Sequence, residues 1–127
     1  MQWKGRIVAM AITALVVLVA IEHMYFLYLE MFAWTQKRTR RAFGTTEEFA
    51  AATKSLAANQ GLYNGFLAAG LVWGMVYPVA AVGLHIQSFF LICVVVAAIY
   101  GGFSVKRSIL YIQGGPAMLA LAGVLLR

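Results

Sequence analysis

Acidic residues are scarce in this chain of 127 residues: Asp and Glu together number 4 against 10 Lys plus Arg, charged residues make up only 11%, and hydrophobic residues make up 63%. So little charge cannot clothe a water-soluble domain, which places the chain among membrane proteins. Cysteine is reduced to Cys93, inside the apolar run LICVVVAA. A lone thiol excludes an internal disulfide framework and a thiolate metal site, and this one fits a small buried hydrophobe. Signatures of the HExxH, CxxC, P-loop and serine-nucleophile types are missing, and His23 and His85 lie too far apart to ligate one metal or haem together. No metal site is therefore expected, and no cofactor is indicated. The basic residues form short clusters beside apolar runs, which suits membrane orientation and anionic headgroups. No basic stripe is long enough to follow a nucleic-acid backbone.

Long hydrophobic runs dominate what remains. A helix needs roughly 20 residues to cross the hydrocarbon core, and four stretches qualify, at about 7–29, 58–77, 86–103 and 109–126. The first is too long for the core of a secretory signal and has no small-residue cleavage pattern before Glu22 and His23, so it is expected to remain as a span. Trp3 and Trp34 flank it as interfacial anchors. Thr45 and Glu48 have capping-box spacing, so a helix should begin near Thr46 and run, without Pro or Gly to stop it, into the second span. Pro78 closes that span, and a tight hairpin leads to the third. Lys4, Arg6 and Arg127 lie on the side of the termini, against Lys37, Arg38, Arg40, Arg41, Lys54, Lys106 and Arg107 on the other. The positive-inside rule then puts both termini outside the cytoplasm. The expected fold is an all-α, four-span transmembrane helical bundle in the cell's inner membrane, with a cytoplasmic amphipathic helix running into span two.

Polar residues gather at one depth of that bundle. Glu30 lies near the cytoplasmic interface and His23 about 10 Å deeper, on the same helical face, with Glu22 beside it. Span two brings Asn59, Gln60, Tyr63 and Asn64 to that leaflet, and spans three and four bring Tyr100, Arg107, Tyr111 and Gln113. Ionisable groups cost roughly 2.5 to 3.5 kcal/mol each in hydrocarbon and so face a bundle interior or a wet cavity. A shared ligand pocket is one solution. An interfacial Glu30 paired with Lys37 or Arg38, amides acting as interhelical glue, and tyrosines forming an aromatic belt are the structural alternatives. Gly61 and Gly65, and again Gly70 and Gly74, repeat at four residues and permit close helix approach. With the two pairs on different faces, one is expected inside the bundle and the other against a second copy, which makes a homo-oligomer. Pro116, after Gly114 and Gly115, should loosen span four.

The stretches EHMYFLYLEMFAWTQKRTRRAFG, AANQGLYNGFLAAGLVWG, VAAIYGGFSV and IQGGPAMLAL resemble the bacterial and fungal membrane-protein family called domain of unknown function 1304. That resemblance implies a small four-span membrane protein and carries no established activity. In layout the chain is also similar to the four-span membrane-associated proteins of eicosanoid and glutathione metabolism. Asn59 and Asn64 are then the nearest counterparts of their second-span motif, but no Glu lies between them and no Arg precedes them in that helix.

Two classes of function fit. In the first, the bundle binds or acts on a small amphipathic or polar molecule in the cytoplasmic leaflet, with Glu22, His23 and Glu30 as charge and proton carriers and candidate catalytic groups. Histidine exchanges protons near neutral pH, which suits acid/base chemistry and proton-coupled transport of a small solute alike. The dry outer halves ITALVVL, LVWGMV and ALAGVLL favour a one-sided pocket over a transport route. In the second class the chain is an accessory or structural subunit of a membrane complex.

Overall fold

A backbone immersed in hydrocarbon must satisfy its own hydrogen bonds within each segment, which favours helix wherever the sequence is apolar and free of breakers. The computed structural model describes residues 2–127. Among them it contains helices and no strand: α1 Gln2–Phe32, α2 Lys37–Phe43, α3 Glu47–Ala52, α4 Lys54–Val76, α5 Ala80–Ser104, α6 Arg107–Ile112 and α7 Gly114–Leu125. By length and composition α1, α5 and the run Arg107–Leu125 are able to cross a membrane, with mean hydropathies of 2.3, 2.3 and 1.5. Although α4 is long enough at 23 residues, it is not among these three, because Asn59, Gln60 and Asn64 dilute its apolar character.

Breaks between helices have local causes. Gly44 adopts the left-handed conformation, φ 69°, and its N–H donates to Arg40 O, ending α2. The Thr45 N–H is spent on the same carbonyl, so the chain is still turning there and the cap of α3 falls one residue later than expected. Thr46 Oγ1 accepts from the Phe49 N–H at 3.1 Å. The helix foreseen from Thr46 into span two is also interrupted, at Thr53, whose φ of −104° and ψ of 9° depart from helical values. Its hydroxyl donates back to Phe49 O at 2.7 Å, and such back-bonding bends helices. Tyr77 precedes Pro78, a position that disfavours helix, and lies outside α4, which stops at Val76. Between α6 and α7 the break falls at Gln113, which puts Pro116 in the first turn of α7, where its missing N–H costs nothing.

The chain forms two compact units. One comprises Met1–Ile21 and Leu67–Arg127. Its core is aliphatic: Ile12, Val16 and Val19 of α1, Ala68 and Leu71 of α4, Leu91 and Val94 of α5, and Ala117, Ala120 and Val124 of α7. Spacings of three and four residues put each set on one helical face. Gly74 and Gly83 let α4 and α5 come together, since a Cβ on Gly83 would strike the Gly74 carbonyl. The other unit is Glu22–Phe66. There the Trp34 indole N–H donates to Thr53 Oγ1 at 3.0 Å, and the Trp34 ring meets Phe43 edge-on at 5.0 Å.

Candidate functional site

Within the second unit, Gln60 and Asn64 stand four residues apart on α4, and each is followed by a glycine, Gly61 and Gly65. At helical spacing both amides lie along one edge of α4 and both glycines along the next. A Cβ at Gly61 would press on Met31 Cγ, Glu30 Cβ and Leu27 O, and one at Gly65 on the Leu27 side chain. With no side chain at either position, α1 approaches closely enough for short amides to bridge the gap. Gln60 Nε2 donates to Glu30 Oε2 at 2.6 Å, and Asn64 Nδ2 donates to Glu30 Oε1 at 2.5 Å. Each carboxylate oxygen thus receives one amide N–H, the arrangement an acceptor-only group requires.

Glu30 is 2% exposed, whereas Asn64 is half-buried and Gln60 exposed. A buried carboxylate stripped of partners costs several kcal/mol, and bonds to a charged acceptor are stronger than neutral ones. The two amides offset that cost without neutralising the group, so Glu30 keeps further lone pairs for a cation, a donor or a proton.

His23 lies two turns earlier on α1, 1% exposed, and packs edge-on against Phe26 at 5.5 Å. Glu22 is half-buried, and its Oε1 is buried without a hydrogen-bond partner. Among the described residues no three His, Cys, Asp or Glu side chains are gathered to hold a metal. Asn59 and Tyr63 are exposed on α4, and Tyr63 tilts against Phe66 at 6.0 Å. The remaining expected pocket residues belong to the other unit. There Tyr100 and Tyr111 are 75% and 67% exposed, Arg107 is exposed, and Gln113 is half-buried where α6 meets α7.

Both glycine pairs are used inside the chain: Gly61 and Gly65 face α1, while Gly70 faces the Phe90 ring and Gly74 faces Gln87 and Gly83. Gln87 and Thr39 are buried polar residues that the sequence pattern did not single out. Gln87 sits in the run HIQSFFLICVV, where a single amide has no periodic companion. Its signal was Gly74, whose Cβ would meet Gln87 Cγ.

These features define a small all-α protein with apolar helices compatible with membrane insertion and a buried carboxylate clasped by two amides. The chain belongs to the family Protein of unknown function (DUF1304), which matches residues 17–125. It is similar to the Uncharacterized protein YpaA of Lactococcus lactis subsp. lactis (strain IL1403), 39% identical over 106 residues that cover 82% of this chain and 87% of that one. No solved structure matches.

Proposed function

We propose that the protein is a multi-pass membrane protein that binds a small amphipathic or polar molecule at Glu30, through a donor or cationic group on that molecule. In this arrangement α4 is a fourth span, both termini lie outside the cytoplasm, and the Glu30 site faces the cytoplasmic leaflet. The carrying observation is the buried Glu30 carboxylate with one α4 amide on each oxygen. As a purely structural device it is poor, because an apolar pair of similar volume holds helices together as well or better. As a binding device it is well made. Gln60 reaches Glu30 from an exposed position, so a ligand group exchanges with that amide without separating α1 from α4. His23 and Glu22, on the same stretch of α1, supply proton exchange to the bound molecule.

Native mass spectrometry of the protein extracted in mild detergent tests this reading and counts subunits in the same spectrum. The expected result is a co-purified small molecule that disappears in Glu30→Gln, a variant that keeps the shape of the site, removes its charge and turns one acceptor oxygen into a donor that Gln60 or Asn64 meets by rotating its own amide. Identical spectra for wild type and Glu30→Gln, both folded by circular dichroism, would overturn it.

A further inference from the structure

The unit formed by Met1–Ile21 and Leu67–Arg127 contains no Asp or Glu, yet it carries Lys4, Arg6, Lys106, Arg107 and Arg127. Its cations therefore have no side-chain carboxylate of their own unit to pair with. Two of them, Lys106 and Arg107, stand exposed at the turn that follows α5.

Immediately before that turn, Val96, Ile99, Tyr100, Phe103 and Ser104 line a shallow, open groove along α5. The spacing of these residues makes one continuous stripe along α5. All four large side chains are well exposed, Phe103 at 76%. Ser104 adds little polarity, because its hydroxyl donates to Tyr100 O at 2.6 Å within its own helix. An apolar trough thus ends at a pair of unpaired cations. The turn is held in place: the Val105 and Lys106 N–H groups both donate to Gly101 O, and Gly102 lets Leu110 of α6 pack directly on α5.

We infer that this groove binds an anionic glycerophospholipid, one acyl chain lying along Val96–Phe103 and the phosphate resting on Lys106 and Arg107. The site is independent of Glu30 and stands whether or not that carboxylate binds a ligand. An acyl chain matches the apolar wall, and a phosphate supplies the negative charge that the unit lacks. Tyr100, an aromatic with a polar tip, suits the boundary between chain and headgroup.

The full-length protein in mild detergent is titrated with phosphatidylglycerol and, separately, with phosphatidylcholine of the same chains, and the first bound lipid is followed by native mass spectrometry. Phosphatidylglycerol should bind, and phosphatidylcholine should bind far more weakly. Cations near a membrane surface contribute roughly 1 kcal/mol each, so Lys106→Gln with Arg107→Gln should weaken the first site about 30-fold. Val96→Trp, which fills the groove and spares both cations, should weaken it comparably. Lys37→Gln with Arg38→Gln removes the same charge from α2 and should leave the first site unchanged. Equal binding of the two lipids would overturn the inference, as would equal weakening by the α2 variant, or glycerol phosphate without acyl chains binding as tightly as the lipid.

Discussion

Close helix approach is achieved twice in this protein, with opposite chemistry. In the unit Met1–Ile21 and Leu67–Arg127 the glycines at 70, 74 and 83 open room for a phenyl ring, an amide stem and a bare backbone, and the surrounding core is aliphatic. In the unit Glu22–Phe66 the glycines at 61 and 65 open room for α1 itself, and the residue before each one reaches a buried carboxylate. The small-residue spacing is the same in both. What differs is its companion, hydrophobic in one case and an amide in the other. A four-residue glycine repeat therefore predicts contact, and only the flanking side chains say whether the contact also carries chemistry.

The sharpest way to break that contrast is Asn64→Leu. It leaves Glu30 Oε1 buried without its donor and should cost about 3 kcal/mol, read as a lowered midpoint of thermal unfolding in detergent. Adding Glu30→Leu should recover most of the loss, because an apolar pair replaces a broken polar one. A single variant as stable as wild type would mean that the amide holds nothing. In the aliphatic unit the corresponding change is Gly83→Ala. Its new Cβ meets the Gly74 backbone, which cannot swing aside as a side chain would, and overpacking of this kind costs about 2 kcal/mol. Gly115→Ala, with nothing within 4 Å of its Cβ, is the control and should lose nothing. The smallest effect belongs to Trp34→Phe, which keeps an aromatic ring against Phe43 but removes the bond to Thr53. About 1 kcal/mol is expected, together with faster amide exchange in α3 while exchange in α5 is unaltered.

Much of this was legible in the residues. Three of the apolar runs emerge as long apolar helices, with α6 and α7 joined at Gln113, because length and composition suffice to specify them. Glu30, Gln60 and Asn64 were legible as members of a larger polar set at one depth, since costly side chains in apolar surroundings need partners, but the pattern did not separate them from Asn59 and Tyr63 or from a Glu30 paired with Lys37 or Arg38. Less was legible where two chemically equal options stood side by side. Thr45 and Thr46 are both good caps, and the choice between them was made by the Thr45 N–H closing the previous helix, a contact that no local pattern announces. Thr53 interrupts a run free of Pro and Gly because its hydroxyl is drawn into bonds with Phe49 and Trp34, and Trp34 lies 19 residues away. The tyrosines at 63, 100 and 111 were expected beside the polar group from their depth in the sequence alone. Depth does not fix the angle around a helix, and all three are exposed.

One acid reading two amides a turn apart works as a vernier. Suppose α4 slid along α1 by four residues, roughly 6 Å. Asn64 would then occupy the place of Gln60 and Gly65 the place of Gly61, while Ala69 would bring a methyl group to the place of Gly65, against the flexible end of Leu27. But Ala68 would stand where Asn64 had been, and one carboxylate oxygen would be left facing a methyl group. The glycine pair alone resists such a slip by one methyl contact with a flexible side chain, and Glu30 adds a lost hydrogen bond that sets the displaced alignment further apart from the native one.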